Sequence, residues 1–322
     1  MSKSYGKTLM IWGDIVKKHP DLIPEIPKDI ILLDWGYGAN TKFENCKLFQ
    51  DAGLQFYVCP GTSGWNRIIN GIENADLNIR RYAEAGAKYG AIGILNTDWG
   101  DHGHYNLLSG SWHGIALGGE MGWNVDGAKT PEDFDKAWTF RMFGDPQGMA
   151  AQTLRKITAI GDEMGTWIMF YKPFAAEYHR GYYRSGLAKV SDDDLIQLKK
   201  DSNEAAALFE GYLQQHRGNP QDLAELVHGS KMTALMAEKL LIERKIVAGE
   251  GAVDSEMAAR LRAFAEEGRT LLGEYENLWR ARNKESNLRD NRRAFDHLLD
   301  QALELAGKTS AKEASRNDQD ED

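Results

Sequence analysis

Four short apolar runs near the start of the chain, each closed by aromatic and acidic residues, constrain the fold more than any other feature. LMIW (Leu9–Trp12) runs into Gly13-Asp14, DIILLDW (29–35) into Gly36-Tyr37, LQFYVC (54–59) into PGTSGWN, which ends in Trp65-Asn66, and AIGILNT (91–97) into Asp98-Trp99-Gly100-Asp101. Helix-like segments at about 42–52 and 74–89 precede the third and fourth runs. Continuous apolar strands alternating with helices predict a parallel sheet covered on both faces. Aromatics and carboxylates repeated just past strand ends match the catalytic face of a (β/α) barrel. No GxGxxG follows any strand, which argues against a dinucleotide fold and for no cofactor of that kind. About four β/α units are present where a closed barrel needs eight, so the expectation is α/β, a partial (β/α)8 TIM barrel.

Beyond Asn124 the pattern changes. From about 131 to 305 no strand of any length is expected, apart from the ambiguous TWIMFYK (166–172). Segments 194–216, 223–247 and 255–282 place apolar residues at helical spacing and fill the rest with good helix formers. Ser191 and Ser255 are expected N-caps, with Asp194 completing a capping box on Ser191. The expected organisation is a half-barrel over 1–130, an all-α helical domain over 131–306, and a disordered polar tail over 307–322.

A net charge of −9 over 322 residues argues against nucleic-acid and anionic-membrane partners. Cys46 and Cys59 both sit inside apolar segments and read as buried thiols. No apolar stretch approaches the roughly 20 residues of a membrane span, and the first residues carry no secretory pattern. As written, the chain is expected to be cytoplasmic.

Indole rings at strand ends stack on the apolar face of a sugar, while neighbouring Asp, Asn and Tyr bond its hydroxyls. Trp12, Trp35, Trp65 and Trp99 are four of nine tryptophans, so as a group they point to a carbohydrate pocket, although any one could instead be a core residue. Asp14, Tyr37, Tyr57, Asn66, Asp98, Asp101 and His104 complete the candidate set. A metal at Asp98, Asp101, His102 and His104 lacks zinc-site spacing, so no metal is expected and the histidines are assigned to lining the pocket or orienting the loop. Asp162-Glu163 and Asp192–Asp194 read as solvated helix ends. The basic stretch Trp279–Arg293 is balanced by acids, as on a helix surface or an interdomain seam.

KTLMIWGDIVKKHPDLIPEIPKDIILLDWGY, FYVCPGTSGWN, GILNTDWGDHGHYN, GGEMGWN and, in the helical half, LWRARNKESNL together resemble the second half of family 20 glycoside hydrolases. They look most like β-N-acetylhexosaminidase-like bacterial proteins with a helical extension. The resemblance implies the last four units of a TIM barrel, a terminal N-acetylhexosaminide substrate, and retaining chemistry in which the substrate's acetamido oxygen is the nucleophile. It places Trp12 and Trp35 on the acetamido pocket wall and either Tyr57 or Trp65 at the third-strand position. Trp99 would lie beneath the sugar, with Asp101 on its outer hydroxyls, where the family more often has Glu. It also implies that the general acid Glu and its Asp partner lie upstream, so no catalytic residue is expected in this chain. Alone it would be inactive and would need a missing N-terminal half-barrel, which could itself have carried a signal peptide. The alternative is a non-catalytic carbohydrate- or partner-binding protein built on a half-barrel and helical bundle.

Overall fold

The structure, a computed structural model, describes residues 5–101, 104–127, 130–160, 174, 189–249 and 252–317. Its strands β1 (Leu9–Trp12), β2 (Ile30–Trp35), β3 (Gln55–Cys59) and β4 (Gly93–Ile94) form one parallel sheet in the order β1-β2-β3-β4. Each of the four apolar runs therefore contains a strand, as expected. β4 is shorter than its run, yet the chain stays alongside β3: the backbone N–H groups of Ile92, Leu95 and Thr97 donate to the carbonyls of Phe56, Val58 and Pro60, each at 2.9 Å. Gly93 sits where Tyr57 crosses, and a Cβ there would lie 2.7 Å from Tyr57 Cε1.

Helices α1 (Asp14–Lys18), α2 (Cys46–Asp51), α3 (Ile72–Tyr89) and α4 (Trp112–Trp123) follow the strands in turn. The period-2 alternation of β2 and β3 sends Leu32, Phe56 and Val58 to one face of the sheet, where they pack on Cys46, Phe49, Tyr82 and Ala85. α3 ends where Gly90 takes a left-handed φ of 75° and its N–H caps the carbonyl of Gly86.

The expected four β/α units are present, and the structure shows them as a sheet and not as a barrel. Among the described residues the sheet is open, because β1 and β4 pair only with β2 and β3 and not with each other. Four β/α units supply four strands, and four strands do not close. The fold is a four-stranded parallel α/β sheet followed by helices.

The chain packs as two units. The first comprises Met1–Trp65, Asn70–Trp99 and Ser111–Ala151; the second comprises Asn66–Ile69, Gly100–Gly110 and Gln152–Asp322. The division differs from the expected boundary at 130, because α5 (Pro131–Phe143) stays with the sheet. Its Asp135 bonds the buried His113 of α4, Oδ1 to Nε2 at 2.8 Å, and Phe134 and Trp138 pack edge-on to the same imidazole. Helix α6 (Met149–Thr158) begins in the first unit and continues in the second.

In the second unit, α7 (Asp192–Gln214), α8 (Pro220–Ala248), α9 (Ser255–Arg282) and α10 (Leu288–Asn317) are the long helices. α7 opens with the expected capping box, in which Ser191 and Asp194 bond each other's backbone. At α9 the cap is Asp254 rather than Ser255; its carboxylate accepts from the Met257 N–H at 2.7 Å. The backbone of α10 remains helical to Asn317, so the expected tail starts later than residue 307. Lys, Ala and Glu, which are good helix formers, recur over that stretch. Arg280 pairs with Glu276 and Glu285 on the helix surface, whereas Arg282 reaches the buried Asp222 and Glu225 of α8. TWIMFYK and Asp162-Glu163 lie outside the described residues.

α8 is buried around most of its circumference and carries charge inside. Lys239 and Glu243 form a buried pair at 2.5 Å, and burial pushes the Lys239 ammonium below its ordinary range. Glu238 accepts from Lys199 of α7 at 2.8 Å and from Arg260 of α9. Burial raises the Glu238 carboxyl, but hydrogen bonds from Arg260 and Lys199 outweigh it and hold the group below the usual carboxylate range. A depressed carboxyl contributes stability above its unfolded pKa and loses it as pH falls through the folded one. Glu238→Gln is therefore expected to cost about 1–3 kcal/mol near pH ~7, and markedly less near pH ~3.5, by urea unfolding. An equal loss at both pH values would contradict this account.

Candidate functional site

Parallel strands in register bring their following loops out at one end of the sheet. Trp12 and Trp35 are the last residues of β1 and β2; Tyr37 lies just past β2, and Trp65 and Trp99 sit in the loops after β3 and β4. Their rings form one continuous cluster. Trp35 stacks on Tyr37 with centroids 5.0 Å apart and planes at 23°. Tyr37 meets Trp65 at 5.5 Å and Trp99 at 6.3 Å, and Trp99 meets Trp12 at 6.2 Å and 51°. The Trp99 indole N–H donates to the Tyr37 hydroxyl at 2.8 Å, which fixes the two rings in orientation. Trp12 and Trp99 are each 41% exposed, too open for core residues. Rings this close leave no slot between them; the cluster is a platform.

Three asparagines hold the loops beneath it. Asn74 and Asn78, four residues apart near the start of α3, share one helix face, and Asn70 lies just before the helix. Asn78 donates to the carbonyls of Gly36 at 2.9 Å and Gly38 at 3.1 Å, and accepts from the Gly61 N–H at 3.0 Å. Asn74 donates to the Tyr37 carbonyl and the Ser63 hydroxyl, both at 2.7 Å, and accepts from the Ala39 N–H at 2.8 Å. Asn70 donates to the Thr62 carbonyl at 3.2 Å, the Asp98 carboxylate at 3.2 Å and the Ser111 hydroxyl at 3.1 Å. Between them these side chains tie down the loops after β2, β3 and β4. Ser63 takes φ 60°, a left-handed conformation held by Asn74 and by the Gly71 N–H on its carbonyl. Gly61 admits the aromatics: a Cβ there would lie 3.0 Å from Tyr37 and 3.2 Å from Trp65. The expected sites did not include these asparagines, although four-residue spacing of amides on a predicted helix was the available signal.

Carboxylates border the rings. Asp14, half-buried, accepts from the Trp35 indole N–H at 3.3 Å. Asp98, exposed, accepts from Asn70 and from the Thr62 hydroxyl. Asp34 is different. It is fully buried and paired with Lys17 at 2.6 Å, and the Cys46 thiol donates to its other oxygen at 3.2 Å. Lys17 also donates to the Trp35 carbonyl at 2.9 Å. Burial, and then the Asp34 charge, push both thiols up, Cys59 to about 12, so the two cysteines stay unreactive as well as unpaired.

Tyr57 lies mid-strand against Gly93. Asn66, Asp101 and His104 belong to the second unit. There Asp101 is exposed, and the His104 imidazole occupies the space a side chain on Gly100 would need. His102 lies outside the described residues. Among the described residues no group of three or more His, Cys, Asp and Glu is arranged to hold a metal ion, and no helix is long and apolar enough to cross a membrane.

No family model matches this chain, and no curated protein matches it. One solved structure that it resembles is a GH138 enzyme targeting pectin rhamnogalacturonan II, at 14% identity and a TM-score of 0.42. The likeness covers 86% of this chain and 41% of that one, so this chain spans less than half of that protein. The resemblance to family 20 is corrected: no family model supports it. The β-N-acetylhexosaminidase assignment and the roles mapped from it fall together. The motifs that carried it are short strings of Trp, Gly and Asp at strand ends, which suit many aromatic-lined pockets.

Asn74→Ala would remove the hydrogen bonds that Asn74 makes with the Ala39 N–H and the Tyr37 carbonyl. It is expected to cost about 1–3 kcal/mol of stability and to weaken the near-ultraviolet dichroism of the ring cluster at temperatures well below unfolding. An unchanged aromatic signal would show that Asn74 does not hold the platform.

Proposed function

We propose that the chain is a carbohydrate-active protein of glycosidase-like type whose aromatic platform holds a sugar ring. One observation carries the reading: at the carboxyl end of a parallel sheet two half-exposed indoles lie side by side, Trp99 bonded to Tyr37 and Trp12 packed against Trp99. Exposed indoles in fixed orientation offer an apolar face to the axial C–H bonds of a pyranose, with little ordering left to pay for on binding. Asp14 and Asp98 at the rim offer acceptors to its hydroxyls. Each already accepts hydrogen bonds as a carboxylate, which suits them to binding rather than to donating a proton. The residues of the platform thus account for sugar recognition, and bond cleavage needs an acid beyond them.

The test is titration of the full chain with neutral methyl glycosides, followed by indole fluorescence and checked by calorimetry. Binding is expected in the wild type and weakened at least about tenfold in Trp99→Ala, which removes both the exposed face and the bond that orients Tyr37. A folded wild-type chain that binds no saccharide would remove the proposal. Release of a chromogenic aglycone by the chain would place it among enzymes, whereas binding without release would place it among lectin-like proteins.

A further inference from the structure

Resting on that reading, we infer that the platform selects its sugar by charge, taking amino sugars in preference to neutral ones and neutral ones in preference to uronates. A cation, Lys17, is bonded into this cluster. Lys17 lies 5.9 Å from the Trp35 ring, but its ammonium is committed to the fully buried Asp34 carboxylate and to the Trp35 carbonyl. That pair cancels itself. Asp14 and Asp98 are held otherwise. Their hydrogen-bond partners are an indole N–H, a hydroxyl and an amide, all neutral, and neither has an ion-pair partner among the described residues. Neutral donors fix a carboxylate in place without cancelling its charge, so two full negative charges border the rings.

The rings add to the same field. The face of an indole or phenol carries negative quadrupole density, which attracts a cation above it and repels an anion. Trp12 and Trp99 present such faces at the solvent side. An ammonium on a bound ring would be drawn by the ring faces and the rim carboxylates together. A uronate carboxylate would be opposed by both. At half-exposed positions each contribution is modest, on the order of a few-fold in affinity, and together they separate adjacent members of the series by about fivefold. Charges this exposed are screened by salt over about 10 Å at 0.1 M, whereas stacking is not. The ranking should therefore be steep in dilute buffer and shallow in concentrated salt.

The experiment compares three probes of one ring geometry on the full chain: methyl glucoside, its 2-amino-2-deoxy analogue and methyl glucuronide. Each is titrated by indole fluorescence at about 20 mM and about 500 mM sodium chloride. The expected order is amine, neutral, uronate, in steps of about fivefold at low salt that converge at high salt. In the double variant Asp14→Asn, Asp98→Asn, whose amides can still accept the same hydrogen bonds, the ratio of amine to uronate affinity should fall to within about twofold, whatever the absolute affinities. Its circular dichroism serves as the check on folding. Equal binding of all three probes, or tighter binding of the uronate, would overturn the charge inference while leaving sugar binding intact. If none of the three binds, the platform reading fails and takes the inference with it. A double variant that keeps the wild-type ratio would show that these two carboxylates are not the source of the selection.

Discussion

The first unit depends on amide side chains in the place where a sheet runs out of partners. Past their last paired residues, the strands leave backbone groups that no neighbouring strand can satisfy, and buried groups of that kind are costly to leave unpaired. Asn74 and Asn78 from the adjoining helix, and Asn70 just before it, satisfy them, each acting as donor and acceptor at once. An amide suits the task because it matches a peptide group in size and polarity and carries no charge to desolvate. The same helix face that grips the loops is continuous with one that packs Tyr82 and Ala85 on the sheet, so loop position follows from core packing.

The platform above them is assembled before any ligand arrives. Stacking of Trp35 on Tyr37 and the bond from Trp99 to Tyr37 make Tyr37 the common neighbour of three indoles. Its carbonyl is held by Asn74, and its ring lies over Gly61, which has no side chain to lift it. Contacts from β2, from α3 and from the loops after β3 and β4 thus meet at one residue. Order of this kind lowers the entropy that binding would otherwise have to overcome.

Much of this architecture was legible in the chain. The four apolar runs located the strands, because buried parallel strands need uninterrupted apolar sequence, and the residues closing each run located the aromatic cluster. Ser191 announced its helix because a capping box is a local device. Other features depended on tertiary context. Nothing in AIGILNT shows that only Gly93 and Ile94 are ladder-paired, since that depends on β3 alongside. Tyr57 and Trp65 could not be told apart by sequence, because mid-strand and loop positions separate only once Gly93 is placed opposite Tyr57. Asn66, Asp101 and His104 read as companions of Trp65 and Trp99 because they adjoin them in the chain, yet the packing unit changes at those points. Family resemblance misled for a related reason: short aromatic strings report strand ends more faithfully than ancestry.

The helical unit carries a consequence of its own in Glu238, whose carboxylate bonds one cation from α7 and another from α9. Peeling away either neighbour would strand a largely buried charge with half its compensation, a cost that grows with burial. Local opening of one helix is therefore penalised, and α7, α8 and α9 are coupled into a single cooperative block. In such a block the slowest-exchanging amides of all three helices share one opening free energy, so what looks like a stack of separate rods behaves as one element.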